Sequence, residues 1–251
     1  MAWLLIDNSN TRTKFALGDA DRLLPWRAVL PTVEISPDSL ASLLAEIDFD
    51  AVMVCSVVPE KAAILEAHFR GKKPLHFLNH QSPLGMGIDY PLPAQIGADR
   101  LANAAGVLSR HGVPAVIIDF GTAVTFDVIS ADPAYCGGVI APGLEAMTDY
   151  LHHRTAKLPK ISLLEPPGVI GKSTRHAMLA GAVYGYRGLV REILLKIRAS
   201  MPRSRKFKVV ATGGYAELIA AGLPEIDCVH SKLTLEGLRL IGTRYFTQKS
   251  L

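Results

Sequence analysis

Cysteine is scarce in this chain, and long apolar runs are missing. Cys55, Cys136 and Cys228 are the three cysteines among 251 residues, odd in number and widely spaced. Such sparse use suits a reducing compartment and offers no zinc-binding pattern. No run reaches eighteen apolar residues, so we expect no membrane span. The first residues also lack the basic segment of a signal peptide, and we therefore expect a cytoplasmic protein.

Charged residues are few as well, at 20% of the chain, but their balance is basic, with a net charge of +4. This excess admits anionic ligands. Part of it lies between Arg198 and Lys208, around Pro202. No aromatic platform or nucleic-acid-binding motif accompanies this basic segment, so a solvated loop between a helix and a strand is the favoured interpretation. Nucleic acid is therefore not the expected partner.

The N-terminal stretch from Trp3 to Leu17 predicts a strand, a polar loop opened by Asp7, and a second strand beginning near Thr13. The amides and hydroxyls of such a loop can donate to phosphate oxygens while the carboxylate holds a cation. An ordinary hairpin has the same composition. This stretch alone leaves both interpretations open.

A second stretch, from Ala115 to Ile129, repeats the pattern. Asp7 and Thr13 align with Asp119 and Thr125, and an apolar strand precedes each aspartate. Two strand, Asp, turn, strand units in one chain indicate an internal duplication.

The duplication predicts two α/β halves, residues 1–112 and 113–251, and a chain of this length can bury two cores. The first half is expected to begin with a three-strand meander and to continue with alternating helices and strands. The second half is expected to repeat the hairpin and then turn through a glycine-rich corner from Cys136 to Gly143. Beyond the two hairpins, the predicted strands are 22–30, 51–57, 207–212 and 226–230, and the predicted helices are 36–47, 59–69, 99–110, 144–155, 174–200, one from 215, and 233–246.

A loop rich in glycine and proline, residues 79–95, leads into Gly97-Ala98-Asp99-Arg100 at the start of a helix. Loops of this length inside a domain are usually functional or disordered. The helix dipole favours an ionised carboxylate in the first turn, where Asp99 lies. An ordinary first-turn acid with a surface arginine beside it remains an open alternative.

Glycine recurs at two further places in the second half. The helix predicted after Ser173 carries Gly181, Gly185 and Gly188, a spacing that indicates close packing against another helix, in the same chain or in a second copy. The strand ending at Thr212 runs into two glycines, which either let the backbone approach a flat ligand or form a simple tight turn.

Taken in order, these motifs resemble the type III pantothenate kinase family, within the acetate and sugar kinase, Hsc70 and actin superfamily. The resemblance covers essentially the whole chain. The motifs that carry it are residues 7–14, Gly97-Ala98-Asp99-Arg100, Asp119-Phe120-Gly121-Thr122, Gly137-Gly138, Ser173-Thr174 and Thr212-Gly213-Gly214. The interval of about twenty residues between Gly-x-Asp-Arg and Asp-x-Gly-Thr is the most restrictive feature.

The resemblance implies two related actin-like, or ribonuclease H-like, halves, each a mixed sheet flanked by helices, with an ATP cleft between them. It implies phosphorylation of pantothenate by ATP to 4'-phosphopantothenate, the first step of coenzyme A biosynthesis. It also implies a homodimer with the pantothenate pocket at or near its interface.

The resemblance also implies a role for each motif residue. Asp99 is the implied catalytic base, and Asp119 the implied ligand of a monovalent cation, K⁺ or NH₄⁺; Mg²⁺ would bridge phosphates near Asp7. The residues implied to bind ATP are Asp7, Asn8, Ser9, Asn10, Thr11, Arg12, Thr13, Lys14 and Thr122, with Thr212 to Gly214 near adenosine. The residues implied to bind pantothenate are Tyr90, Gly97, Ala98, Asp99, Arg100 and Thr174.

One residue departs from the family pattern. Many relatives carry glycine where this chain has Ser9, in an Asp-x-Gly-Asn-Thr loop. The serine is expected to add a side chain beside the ATP phosphates.

Two other functions stay open at this stage. One is another kinase or phosphatase of the superfamily, acting on a sugar, acetate or polyphosphate, although such chains lack Gly-x-Asp-Arg at this spacing. The other is an accessory factor for transcription, which only the basic segment favours.

Overall fold

The computed structural model of this chain describes residues 1–201 and 207–248. Residues 202–206, the middle of the basic segment, lie outside that part, as do residues 249–251. The strands are β1 (Trp3–Asn8), β2 (Arg12–Gly18), β3 (Leu23–Pro31), β4 (Ala51–Ser56), β5 (Leu75–Phe77), β6 (Gly87–Ile88), β7 (Ala115–Phe120), β8 (Ala123–Ile129), β9 (Ala134–Pro142), β10 (Lys208–Gly213) and β11 (Cys228–Val229). The helices are α1 (Pro37–Leu44), α2 (Pro59–Phe69), α3 (Ala98–Arg110), α4 (Leu144–Arg154), α5 (Thr174–Ser200), α6 (Ala216–Ala220) and α7 (Leu233–Gln248).

Contacts within the chain divide it into two compact units. Unit 1 comprises Met1–Arg110, Pro133–Tyr135 and Lys232–Leu251, and unit 2 comprises His111–Asp132 and Cys136–Ser231. Residues 133–135 and helix α7 belong to unit 1, although they lie beyond residue 113 in the chain. The position of the last helix in the sequence therefore does not reveal which unit it belongs to.

Unit 1 is built on a mixed five-stranded sheet with the order β3-β2-β1-β4-β5. The central strand β1 pairs antiparallel with β2 and parallel with β4, and all six of its residues are buried. A strand buried at every position has both faces covered. Helix α1 starts where Ser36 accepts a hydrogen bond from the Ser39 amide, with Pro37 at the first helical position.

Unit 2 contains strands in the order β11-β10-β7-β8-β9. β7 pairs antiparallel with β8 and parallel with β10, as β1 does with β2 and β4. One face of this sheet presents Ile118, Phe126 and Ala211, which share an apolar cluster with Val183 and Tyr186 of α5. The long helix α5 therefore covers that face.

The two units repeat one meander. β1, β2 and β3 have six, seven and nine residues, and β7, β8 and β9 have the same three lengths. β2 and β8 also share the same order of buried and exposed positions. The repeated sequence pattern thus corresponds to a repeated structure, in which each hairpin places an aspartate near the end of its first strand.

Residues 79–95, expected as a loop, contain the short strand β6. β6 pairs in parallel with Ala134 and Tyr135, which belong to unit 1. From α7, Arg244 Nη1 donates to the carbonyl of Leu84 at 2.7 Å. These bonds to β9 and to α7 fix the backbone just before Tyr90.

Among the described residues, no helix combines the length and apolar character that crossing a bilayer requires.

Candidate active site

Asp7, at the end of β1, has both of its carboxylate oxygens engaged within the first loop. Lys14 Nζ donates to Asp7 Oδ2 at 3.0 Å, and the Ser9 hydroxyl donates to Asp7 Oδ1 at 2.9 Å. The carboxylate is only 2% exposed. Ser9, the residue that departs from the family pattern, therefore directs its hydroxyl at the loop's own aspartate.

A buried polar network lies beneath this loop. Asn8 Nδ2 donates to Thr13 Oγ1 at 2.8 Å, and the Ser56 hydroxyl donates to Asn8 Oδ1 at 2.7 Å. The hydroxyl of Thr32 donates to the carbonyl of Ser9 at 2.6 Å. Buried polar groups are stable only when hydrogen-bonded, so this network fixes the loop backbone.

The residues of the first loop thus divide into two groups. The side chains of Asn8 and Thr13 are buried and face the network, which makes them supports of the loop. Asn10, Thr11 and Arg12 are exposed at its tip. A ligand reaching the loop from solvent would meet the second group and the backbone amides.

The second loop, between β7 and β8, is held against the start of α4. The amide of Gly121 donates to the carbonyl of Ala123 at 3.1 Å, which closes the turn, and Thr122 is exposed. Gly143 precedes α4, and its amide donates to the carbonyl of Thr122 at 3.1 Å. A Cβ at Gly143 would collide with the carbonyl oxygens of Gly121 and Thr122. Glycine at position 143 is thus required for this close approach.

The structure brings the Gly-Gly turn next to Asp119. Thr212 and Asp119 are register partners of β10 and β7. Gly213 has a φ of +95°, a conformation that favours glycine. A Cβ on Gly213 would lie 2.6 Å from Asp119 Oδ1. Two predicted parts of the site, far apart in the sequence, are therefore neighbours in unit 2.

Asp99 is the second residue of α3 and is half-buried. Its Oδ1 accepts a hydrogen bond from the Arg100 amide at 2.8 Å. The backbone of Gly97 passes so close that a Cβ there would lie 2.6 Å from the same oxygen. The carboxylate is thus held at the positive end of the helix, where the dipole stabilises its charge.

Three side chains of unit 1 form an aromatic and cationic group beside Asp99. The Cζ of Arg100 lies 5.7 Å from the ring centroid of Tyr135, and Tyr90 meets the same ring edge-on at 6.2 Å and 76°. We call these three residues the Tyr135 cluster. Tyr90 and Arg100 were expected from the resemblance as pantothenate-binding residues, whereas no motif pointed to Tyr135. The available signal was its position two residues before Gly137, just after the hairpin that carries Asp-x-Gly-Thr.

Thr174 is the first residue of α5 and is exposed. The preceding Ser173 caps the helix, because its hydroxyl accepts from the His176 amide at 3.2 Å. The backbone of Gly171 packs onto the first turn, where a Cβ would collide with Ala177. The helix therefore begins where the sequence predicts, and Thr174 faces solvent.

An apolar groove of about 720 Å³ lies between α4 and α5 in unit 2. Its lining is Pro142, Ala146, Met147, Thr148, Tyr150, Leu151, Ala177, Met178, Gly181 and Ala182. A Cβ built on Gly181, Gly185 or Gly188 would meet no atom of the described residues within 4 Å. The glycine row of α5 thus faces outward in the described structure and makes no close contact with another helix there.

No group of three or more His, Cys, Asp and Glu side chains in residues 1–201 and 207–248 is arranged to hold a metal ion. A cation at Asp119 would therefore need ligands other than a cluster of such side chains, for example backbone carbonyl or hydroxyl oxygens. Hard oxygen donors of this kind suit alkali and alkaline-earth ions and do not form a transition-metal site.

Two solved structures share this architecture. A Campylobacter jejuni protein named as a Baf family transcriptional activator superposes with a TM-score of 0.63 at 19% identity, covering 97% of this chain and 99% of that one. The activator of 2-hydroxyisocaproyl-CoA dehydratase from Clostridium difficile, solved with bound ADPNP, gives 0.56 at 13% identity, covering 100% and 98%. At these identities the likeness shows the fold alone, which is that of actin-like kinases and ATPases, as expected from the sequence.

The sequence itself matches more specifically. The family model described as type III pantothenate kinase matches residues 3–196, a range that includes both loops, Asp99 and Thr174. A curated type III pantothenate kinase from Akkermansia muciniphila is 55% identical over 240 residues, covering 96% of this chain and 98% of the relative. This chain therefore belongs to the type III pantothenate kinase family.

Proposed function

We propose that this chain transfers the γ-phosphoryl group of ATP to the primary hydroxyl of pantothenate, giving 4'-phosphopantothenate for coenzyme A biosynthesis. The observation that carries the proposal is the family match over residues 3–196, which spans both phosphate loops, Asp99 and Thr174. The 55% identity to a relative of the same name, over nearly the full length of both chains, supports the same substrate.

Asp99 is the proposed base. The hydroxyl oxygen of pantothenate attacks the γ-phosphorus, the bond from that phosphorus to the bridging oxygen breaks, and ADP leaves with the electron pair. The proton of the hydroxyl passes to Asp99. Because proton removal comes late in a loose transition state, an ordinary carboxylate suffices. The hydrogen bond from the Arg100 amide at 2.8 Å supports a fixed position for this base.

The two loops are proposed to hold the ATP phosphates. Asn10, Thr11 and the amides of the first loop supply donors, and Thr122 supplies another from the second loop. Asp7 is the residue proposed to hold Mg²⁺, which would neutralise charge on the phosphates when bound. The hydrogen bonds from Ser9 and Lys14 fix this carboxylate.

Asp119 is the proposed ligand for the monovalent cation, K⁺ or NH₄⁺. Its Oδ1 faces the main chain of Gly213, where the absence of a Cβ keeps the backbone close. A carboxylate oxygen beside main-chain groups fits a hard cation. Such a cation would offset negative charge near the second loop.

The proposal includes a cytoplasmic homodimer. The outward glycines of α5 and the exposed Tyr150 and Met147, 64% and 37% accessible, support an interface on this face. The scarcity of cysteine, three among 251 residues, fits a reducing compartment.

The test of the reaction is ADP release by the purified protein with ATP and Mg²⁺. The expected result is release that requires pantothenate and is much faster in potassium than in sodium, with a product heavier than pantothenate by one phosphoryl group. A screen of sugars and acetate under the same conditions is the control. Release with a sugar or acetate, and none with pantothenate, would contradict the proposal.

A further inference from the structure

Arg100 lies over the face of a buried aromatic ring. Its Cζ is 5.7 Å from the centroid of Tyr135, within the range of a cation–π contact. Tyr135 itself is 0% exposed, so the interaction is shielded from water on the side of the ring. Such contacts strengthen when they are desolvated.

The ring of Tyr135 is held firmly from two directions. Tyr90 contacts it edge-on at 6.2 Å, a preferred geometry for aromatic pairs. On the main chain, the Asp89 amide donates to the Tyr135 carbonyl at 2.9 Å, and the Gly87 amide donates to the Pro133 carbonyl at 2.8 Å. The ring is therefore a rigid surface for the guanidinium.

A rigid surface under an arginine restricts the directions in which the guanidinium can point. The five N–H donors of arginine form a planar fork that matches a carboxylate. An arginine whose plane is already oriented loses less conformational entropy when it binds an anion. This pre-orientation strengthens the binding of a negatively charged ligand group and has little effect on the binding of a neutral one.

We propose that Tyr135 is a positioning residue that orients Arg100 toward the substrate carboxylate and so sets the preference for an acidic substrate. This inference rests on the proposed function, because it takes pantothenate to be the substrate and Arg100 to be a contact of its carboxylate. Tyr135 acts through Arg100 and takes no part in phosphoryl transfer.

The test uses binding rather than turnover. Dissociation constants are measured by calorimetry for pantothenate and for pantothenol, in which a neutral hydroxymethyl group replaces the carboxylate. A leucine at position 135 would leave a cavity at a fully buried site and could unfold the protein. The variants are therefore Tyr135→Phe and the replacement of Tyr135 by trifluorophenylalanine, which keeps the ring shape but withdraws charge from its face.

The Tyr135→Phe variant should bind both ligands as the wild type does, because the ring face is retained. The fluorinated variant should bind pantothenate about fivefold more weakly than Tyr135→Phe, with pantothenol changed by less than about twofold. Circular dichroism of both variants checks that the fold is intact.

Two results would overturn the inference. Equal weakening for pantothenate and pantothenol would mean that the ring only packs the site, and unchanged affinity for both would mean that the contact has no effect. A wild-type protein that fails to bind pantothenate would overturn the proposed function as well. If the wild type binds pantothenate, but the ratio of the pantothenate and pantothenol dissociation constants is the same in both variants, the inference alone is overturned.

Discussion

At the scale of single residues, two positions of the candidate site require glycine because neighbouring atoms leave no room for a Cβ. Gly143 lets the start of α4 approach the carbonyls of the second loop, and Gly213 lets β10 end against Asp119. A side chain at either position would push away a segment that carries a proposed ligand. The requirement is clearest at Gly213, where the positive φ acts together with the close approach.

Gly213→Ala should therefore weaken potassium activation. The methyl group would force the chain away from Asp119, and the strained backbone should lower the free energy of unfolding by about 1–3 kcal/mol. A potassium titration of ADP release and a urea unfolding curve measure the two effects. Gly214→Ala is the matched control, since a Cβ there meets nothing within 4 Å. Equal potassium curves for the two variants would contradict the cation role of Asp119.

The candidate site residues that the sequence indicates are those carried by local motifs. Asp7 and Asp119 each follow an apolar strand, and Asp99 follows a glycine at a helix start. Ser56 could not be predicted, because its hydrogen bond to Asn8 joins residues 48 positions apart. Tyr135 was missed for the same reason, since its meeting with Arg100 depends on the pairing of β6 and β9.

At the scale of elements, one arginine ties together the second half of unit 2. Arg187 of α5 donates through Nη1 and Nη2 to Glu165 in the connector, at 2.9 and 2.6 Å. It also donates to the carbonyls of Leu218 and Ile219 near the end of α6, at 2.6 and 3.2 Å. The connector, α5 and α6 are thus joined at one guanidinium.

Acid should loosen this connection at Glu165. The hydrogen bonds from Arg187 lower the pKa of the Glu165 carboxyl below its ordinary value of 4.5. Its stabilising contribution is therefore present above pH 4.5 and lost as the pH falls through the lowered folded-state pKa. Glu165→Gln should be less stable than wild type at pH 7, and the difference should shrink below about pH 4.

Urea unfolding across this pH range measures the effect, which is small because Glu165 is 53% exposed. Glu192→Gln, at an exposed carboxylate of α5, is the control and should show a weaker dependence. If the difference in unfolding free energy between wild type and Glu165→Gln stayed constant from pH 7 to pH 3, the stabilising role of the Glu165 carboxylate would be contradicted.

At the scale of the whole molecule, the last helix, α7, belongs to the same unit as the N-terminal strands. Helix α7 packs on α3 at a close crossing, where a Cβ on Gly237 would collide with the carbonyl of Ala102. The sequence showed a helix here but could not show its partner, because helix packing depends on contacts between distant parts of the chain. The two hairpins were predictable, since each is a local pattern. The third strand of the second meander was not, because residues 136–142, expected as part of a glycine-rich corner, belong to β9.

Gly237→Ala should destabilise unit 1 strongly, by about 3 kcal/mol or more, because the methyl group has no room between the two helices. Gly242→Ala lies on the same helix, where a Cβ would make ordinary contacts at 3.7 Å or more, and should be nearly neutral. Thermal unfolding of both variants measures the difference. Similar melting temperatures would contradict the close crossing.

The proposed dimer predicts that a charge on the α4–α5 face will separate the copies. Tyr150→Asp should shift the protein from dimer to monomer in sedimentation experiments, because the aspartate would be buried without a partner. Val33→Asp, at an exposed apolar residue of unit 1, should leave the dimer intact. A wild-type monomer, or a dimer in both variants, would contradict an interface at this face.

The measurement that tests the account most directly is the turnover number of Asp99→Asn beside that of Asp38→Asn. Asp38 occupies the same second position of helix α1 and is exposed, so it controls for the loss of a first-turn carboxylate. We expect Asp99→Asn to lower kcat with pantothenate by about 100-fold or more, with the affinity for ATP nearly unchanged, and Asp38→Asn to keep the wild-type rate. A near-normal rate for Asp99→Asn would contradict its role as the base.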